Sequence, residues 1–382
     1  MSRNILHVVN ISFVLPYFIG NQFNYFHDKG YKLFVVCSPS EHLRNYANEM
    51  NFDYCETPIV RNFSLIKDIE SIFKIIYYIK KNKIDIVCGH TPKGSLLSMI
   101  AALLSGVKKR IYFRHGLMYE TSTGFKKSIL INIERFTSYL ATDIVCVSQS
   151  VLNNSIKNKL SRINKCKLLF KGSCNGVDVL SKFNPENIVL DQKVALKRQL
   201  YIPNDVLIIG YTGRLVKDKG IIDLVNAWNI VKNKINNVIL LLVGPFEERD
   251  ALSMSVIDTI KTSESIIWTG LVDGFMEYYY SLMDIFILPS YREGFPTSIL
   301  EASSMCLPVI TTRVTGCIDS IIESETGIFV DNSALSIANG IIKYCENHHL
   351  RKKHGYNGRN FIKSNFEQSM IWDEIENKLY KY

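Results

Sequence analysis

No two cysteines of this 382-residue chain stand in a Cys-x-x-Cys pair or in a cluster with histidine, so the spacing of a structural zinc site is missing. Of the nine cysteines, Cys37, Cys88 and Cys146 sit inside apolar strand-like runs, where a free thiol packs as a small hydrophobe. Buried, reduced thiols are expected, not a disulfide framework. No stretch of eighteen or more apolar residues appears, which argues against a membrane-spanning helix. The opening residues, Met1-Ser2-Arg3-Asn4-Ile5-Leu6-His7-Val8-Val9, lack the long apolar region and cleavage site of a secretion signal, and a soluble, cytosolic chain is expected. No Asp-x-Asp triplet occurs, so a carboxylate pair of that spacing is not available to hold Mn²⁺ or Mg²⁺. No recognisable nucleic-acid-binding motif is present either.

What is present is enough for two domains. The length exceeds one ordinary domain, and 47% apolar residues suffice for two sizeable cores. The net charge of +9 is uneven: residues 1–180 hold 24 Lys and Arg against 12 Asp and Glu, a balance of +12 that leaves −3 for the rest. Basic clusters at Lys80-Lys81-Asn82-Lys83, Lys108-Lys109-Arg110, Lys126-Lys127 and between Lys157 and Lys171 stand beside apolar or aromatic residues. An anionic membrane surface, a lipid diphosphate, nucleic acid or a merely solvated face would each account for them.

Short apolar runs alternate with stretches of helical period. Ile5–Val9, Lys32–Cys37, Ile84–Cys88, Lys109–Phe113 and Ile144–Val147 read as buried strands with room for crossover helices, the pattern of a doubly wound parallel sheet. Ligands of such sheets bind outside the carboxyl ends of the strands. The rhythm pauses at Asn175-Gly176-Val177-Asp178, a linker is expected over 175–205 with a helix from Asp191 to Tyr201, and a second series of strands begins at Leu207. The expected domains are therefore 1–178 and 179–365. The last segment, 366–382, reads equally as a helix crossing back to the first domain and as a terminal helix on its own.

The densest chemistry lies in Tyr291-Arg292-Glu293-Gly294-Phe295-Pro296-Thr297-Ser298-Ile299-Leu300-Glu301-Ala302, a buried strand's exit, a tight loop and a helix. Pro296 suits the first helical turn, and the amides from Thr297 to Ile299 would face a bound anion such as a diphosphate. Glu301 lies on the Thr297 face while Glu293 stays in the loop, so two carboxylates would flank one anion site, suited to accept hydrogen bonds from sugar hydroxyls. That combination points to a nucleotide sugar. On spacing alone, a solvated Glu and a salt-bridged Glu explain the pair as well. Upstream, Gly213-Arg214 and Lys219-Gly220 follow a strand, where a guanidinium fork and an ammonium point charge would neutralise a diphosphate. In the first half, His90-Thr91-Pro92-Lys93 and Arg114-His115-Gly116 each follow a strand. A lone loop histidine is often purely structural, a reading that weighs more on His90 than on His115.

The segment Glu293-Gly294-Phe295-Pro296 followed by Leu300-Glu301-Ala302, its acids separated by seven residues, resembles the E-x7-E signature of retaining GT-B glycosyltransferases, specifically glycosyltransferase family 4. Gly213-Arg214 through Lys219-Gly220 is similar to that family's G-R-x4-K-G segment. The His90 and His115 loops are similar to those of members acting on polyprenyl-diphosphate-linked sugars. The resemblance implies an α/β, GT-B fold of two facing Rossmann-like domains with parallel sheets, the acceptor on the first and the nucleotide sugar on the second. It implies retaining transfer of a hexose or N-acetylhexosamine from a UDP-sugar to a saccharide on a lipid diphosphate such as undecaprenyl diphosphate, by a protein held peripherally at the inner face of the cytoplasmic membrane. Catalytic roles then fall to His115, Arg214, Lys219 and Glu293. Nucleotide-sugar binding falls to Gly213, Arg214, Lys219, Gly294, Phe295, Pro296, Thr297, Ser298 and Glu301, and acceptor binding to Arg114, His90 and Lys93. No cofactor and no metal is implied. The first loop, Asn10-Ile11-Ser12-Phe13-Val14-Leu15-Pro16, departs from the Gly-Gly pair of many members and is aromatic, as in the subgroup that transfers N-acetylhexosamines.

Two other readings stay open. A nucleotide-sugar epimerase of related architecture would need further acid/base carboxylates, for which there is no clear constellation. A non-catalytic basic module binding nucleic acid would explain the charge but not the Glu293–Glu301 segment.

Overall fold

The computed structural model describes residues 3–60, 62 and 64–381; the outer ends of the expected domains, Met1 and Tyr382, lie outside the described residues, as do Ser2, Arg61 and Phe63. The chain divides into two compact units. One runs through Gly176 and is rejoined by the chain from Ser369, and the other is Val177–Gln368.

The first unit is built on seven strands: β1 Asn4–Val8, β2 Lys32–Cys37, β3 Asp53–Glu56, β4 Ile86–Gly89, β5 Lys109–Arg114, β6 Asp143–Cys146 and β7 Cys166–Leu168. Their order is β3-β2-β1-β4-β5-β6-β7, with every pairing parallel. Parallel neighbours need crossover connections, which place helices on the faces and bury the strands on both sides. Ile5, Leu6 and Val8 accordingly have no exposed surface. β3 and β7 were not expected: Asp53-Tyr54-Cys55-Glu56 and Cys166-Lys167-Leu168 are short, polar edge strands without an apolar run.

The second unit repeats the plan with β8 Leu207–Thr212, β9 Val238–Val243, β10 Ile266–Trp268, β11 Ile285–Leu288, β12 Val309–Thr312 and β13 Gly327–Val330, in the order β10-β9-β8-β11-β12-β13. Its pairings are parallel too. Both sheets thus have the doubly wound arrangement, with the order of the strands reversing between β1 and β4 in one and between β8 and β11 in the other while all strands stay parallel. Ligand crevices of this fold open at those reversal points.

From Val177 onward, the stretch expected as a linker belongs already to the second unit. Val179 and Phe183 are in its core, and a helix, Leu190–Gln199, follows. The chain's last segment packs on the first unit. Trp372 Nε1 donates to Asn175 O at 2.9 Å, Lys29 Nζ donates to Glu376 Oε2 at 2.7 Å, and Tyr380 is fully buried against Phe26. All nine cysteines are free, and Cys37, Cys88, Cys146, Cys174 and Cys317 are buried.

Candidate active site

In the second unit the loops after β8 and β11 are pinned together. Gly220 has φ +72°, and a Cβ there would lie 2.1 Å from Pro289 O, so only glycine lets the Lys217–Lys219 turn approach the loop that follows β11. Across this contact Lys219 Nζ donates to Glu293 Oε1 at 2.5 Å, and Ser290 Oγ donates to the same oxygen at 2.7 Å. Arg292 Nη2 reaches Asp218 Oδ2 at 3.1 Å. A second close approach, between Gly213 and Gly244, joins the loops after β8 and β9: a Cβ on Gly244 would lie 2.0 Å from Gly213 O. Arg214 on this side forms an ion pair with Glu247, a residue that no sequence motif singled out.

Glu301 has different partners. Tyr280 OH donates to Glu301 Oε2 at 2.7 Å and also bonds Thr212 Oγ1 at 2.8 Å, tying the end of β8 to the helix Thr297–Ser304. Burial pushes the Glu301 carboxyl up to about 7, although the Tyr280 bond pulls the other way. The two acids of the E-x7-E segment therefore do not share a partner: Glu293 is tied to an ammonium and Glu301 to a phenol.

The helix begins one residue later than expected. Pro296 is its N-cap in extended conformation and accepts the Ile299 amide at 3.1 Å, so Thr297 and Ser298 stand first in the unsatisfied turn. Phe295 turns its ring to Phe366, 5.2 Å between centroids, so its side chain serves the core and only its backbone remains for a ligand.

In the first unit, His115 is half-buried and its ring stacks on Phe18 with centroids 3.6 Å apart. His90 is 1% exposed and lies between two other histidines: its Nδ1 is 2.9 Å from His115 Nε2 and its Nε2 is 3.0 Å from His7 Nδ1. Burial pushes His7 and His115 down to about 3 and His90 well down, so all three are neutral near pH 7. His90 is thus a support of His115, not a surface contact for an acceptor.

Two further acceptor assignments are corrected. Arg114, the last residue of β5, has no exposed surface and is spent on Glu134 at 3.2 Å, Ser138 at 2.5 Å and Ser161 at 3.2 Å. A guanidinium so enclosed holds the helix Gly124–Leu140 to the sheet. Lys93 is 11% exposed and donates to Asp68 Oδ2 at 2.6 Å and Asn62 O at 3.1 Å, which fixes the helix Pro92–Leu104 against Leu65–Lys81.

Comparison with known proteins decides the family. The family description "Glycosyl transferases group 1" matches residues 192–361, and "Glycosyl transferase 4-like" matches residues 5–148. The capsular polysaccharide biosynthesis glycosyltransferase CapM of Staphylococcus aureus is 34% identical over 376 residues, 98% of this chain and 96% of that one. The chain belongs to glycosyltransferase family 4. Another member is an Escherichia coli UDP-Gal:alpha-D-GlcNAc-diphosphoundecaprenol alpha-1,3-galactosyltransferase, 28% identical over 290 residues, 74% of this chain and 71% of that one. Among solved structures, Anabaena Alr3699/HepE in complex with UDP and glucose superposes with a TM-score of 0.82 at 16% identity, covering 100% of both chains. The fold is GT-B, and these relatives favour neither the epimerase nor the nucleic-acid reading.

The basic surface of this family 4 glycosyltransferase is smaller than its composition implies. Lys109 and Lys167 pair with Asp143 at 2.9 and 2.8 Å. Arg110 donates to Leu140 O and Val107 O, and Lys165 to the carbonyls of Ser138, Tyr139 and Ala141, so both cap the end of the helix Gly124–Leu140. Lys80, Lys81, Lys83, Lys126 and Lys127 are exposed and accompany an apolar stripe, and Lys108, Lys157, Lys159, Arg162 and Lys171 are exposed as well. Leu65, Ile69, Phe73 and Tyr77 recur every four residues along one helix and are 45–70% exposed. Phe125, Phe136 and Tyr139 are exposed on Gly124–Leu140, and the helix Pro92–Leu104 packs against both. Among the described residues no helix is long and apolar enough to cross a membrane.

Proposed function

We propose that this glycosyltransferase takes its sugar from a UDP-sugar and passes it to a lipid-diphosphate-linked saccharide, with retention at the anomeric carbon and without a divalent metal. The observation that carries the reading is the Lys219–Glu293 pair at the reversal point of the second sheet, side chains 16% and 11% exposed, next to the start of the helix Thr297–Ser304. An ammonium already ordered there needs little rearrangement to meet a leaving diphosphate. Arg214 and the amides of Thr297 and Ser298 add to that positive potential. Glu301 accepts hydrogen bonds from the ribose, Glu293 from the transferred sugar, and His115 stands against the reacting sugar. The departing diphosphate then assists removal of the acceptor proton on the same face. A relative named for a UDP-sugar donor and a diphosphoundecaprenol acceptor, and a GT-B neighbour solved with UDP, support the substrate classes.

A lipid-linked acceptor is reached at a bilayer. The apolar stripe of Leu65–Lys81, flanked by Lys80 and Lys81, together with Phe125, Lys126 and Lys127, has the composition that lies in an anionic lipid interface at the inner face of the cytoplasmic membrane.

The deciding experiment is a panel of nucleotide sugars scored for nucleotide release with and without a lipid-diphosphate-linked saccharide, in EDTA and in Mn²⁺, with the product anomer read by NMR. Acceptor-dependent release of UDP in EDTA, giving the donor's anomeric configuration, is expected. Release only with added Mn²⁺, or an inverted product, overturns the mechanism.

A further inference from the structure

The row of imidazoles in the first unit has two ends that differ. At one end, His115 Nδ1 lies 3.7 Å from Cys174 Sγ, and burial pushes that thiol up to about 12, so it stays protonated. At the other, His7 Nε2 is buried without a hydrogen-bond partner. Each neutral imidazole carries one ring proton and offers one acceptor nitrogen, so a row of three has only two consistent polarities. In the first, the thiol donates to His115 and each ring donates onward, which strands a buried N–H at His7 Nε2. In the second, His7 Nδ1–H donates to His90 Nε2 and His90 Nδ1–H donates to His115 Nε2. The stranded group is then only a lone pair at His7 Nε2, and a buried N–H without a partner is the rarer of the two defects in folded proteins.

We propose that His7 and His90 are positioning residues that fix the proton of His115 on Nδ1, presenting it as a neutral N–H donor to a hydroxyl oxygen of the reacting sugar. The donor's only partner in the row's own geometry is a thiol sulfur, a weak acceptor that a hydroxyl oxygen displaces. Phe18, stacked on the His115 ring, keeps the imidazole plane fixed while the partner changes. The geometry also accounts for a histidine in mid-strand: His7 lies in β1 between Leu6 and Val8, 1% exposed, where an aliphatic residue would pack without an unpartnered nitrogen. The catalytic half of the inference rests on the placement of His115 against the reacting sugar.

The test separates the two. In the full chain labelled with ¹⁵N-histidine, long-range ¹H–¹⁵N spectra at pH 7 distinguish protonated from unprotonated ring nitrogens. In the unaltered protein, His115 Nδ1 should carry the proton. His7→Asn keeps an N–H where Nδ1 stood and should preserve that signature, whereas His7→Leu removes the donor and should transfer part of the His115 population to Nε2–H. In parallel, His7→Leu should lower kcat roughly 3- to 10-fold, the size of one neutral hydrogen bond, with the donor KM unchanged and with recovery in His7→Asn. A proton on His115 Nε2 in the unaltered protein overturns the assigned polarity even if His7→Leu fails to fold. A tautomer that does not move in a folded His7→Leu overturns the positioning role. A tautomer that moves while kcat does not sinks the catalytic half and the placement of His115 at the sugar with it.

Discussion

At the scale of single residues, the two acids of the E-x7-E segment differ in their surroundings, and that difference sets distinct expectations. Glu301 has its carboxyl raised from 4.5 to about 7 by burial. A raised folded value means that the native state binds the proton more tightly than the unfolded chain, so this group's contribution is fully present below 4.5 and is lost as pH rises through about 7. Glu301→Gln should therefore gain melting temperature relative to the unaltered protein at pH 8 and show a smaller gain, or none, at pH 5, as scanning calorimetry would reveal. Glu301→Ala should weaken UDP binding by about 1–3 kcal/mol by isothermal titration, because ribose hydroxyls lose a buried acceptor. Unchanged affinity would remove Glu301 from the ribose. Lys219→Ala should cost roughly a hundred- to a thousand-fold in turnover. Arg214→Ala should cost less, since Arg214 is 42% exposed and shares its charge with Glu247. Equal losses measured in EDTA would show that the Glu247 pair does not temper Arg214. Lys219, Glu293 and Glu301 stood out in the sequence because the first two follow buried strands and the third lies on the helix that comes next. Tyr280, Thr212 and Glu247 did not, because each is tied to the site only by the fold, and Arg114 was misread because a cation at a strand's end looks the same in sequence whether it faces a crevice or a covering helix.

Among the elements, the helices outside the first sheet separate structural from available charge. Charge reversal at Lys80 and Lys81, with Phe73→Ser on the same helix, should weaken co-sedimentation with anionic vesicles, most strongly at low salt, while activity on a short soluble acceptor survives. Vesicle binding that stays at the unaltered level would remove this helix from the membrane reading. Arg110→Ala should act differently, lowering the melting temperature by releasing the carbonyls of Val107 and Leu140. The central strands of both sheets could be read directly, since a strand covered on both faces is a continuous apolar run, and β9, Val238-Ile239-Leu240-Leu241-Leu242-Val243, is the plainest case. The edge strands β3 and β7 could not, because none of their side chains is fully buried.

For the whole molecule, the path of the chain matters more than its composition. The boundary between the units at Gly176 and Val177 falls within the Asn-Gly-Val-Asp turn that the sequence offered, but the destination of the last segment was undecidable from periodicity, which is the same whichever unit receives the helix. A chain ending at Gln368 loses Trp372, Leu379 and Tyr380 from the core of the first unit, each worth about 1.5–3 kcal/mol when buried. Such a truncation should leave the first unit unfolded or prone to aggregate while the second retains its own melting transition; two intact transitions by calorimetry would refute this. The same path imposes an order on synthesis. The ribosome finishes β1 to β7 early, yet the residues that close their core emerge only after all of Val177–Gln368 has been made, a delay of roughly 10–40 s at about 5–20 residues per second. The second unit can therefore complete its fold first, and the first, with its apolar helix faces and waiting core, is the part of the nascent protein that chaperones would have to shelter.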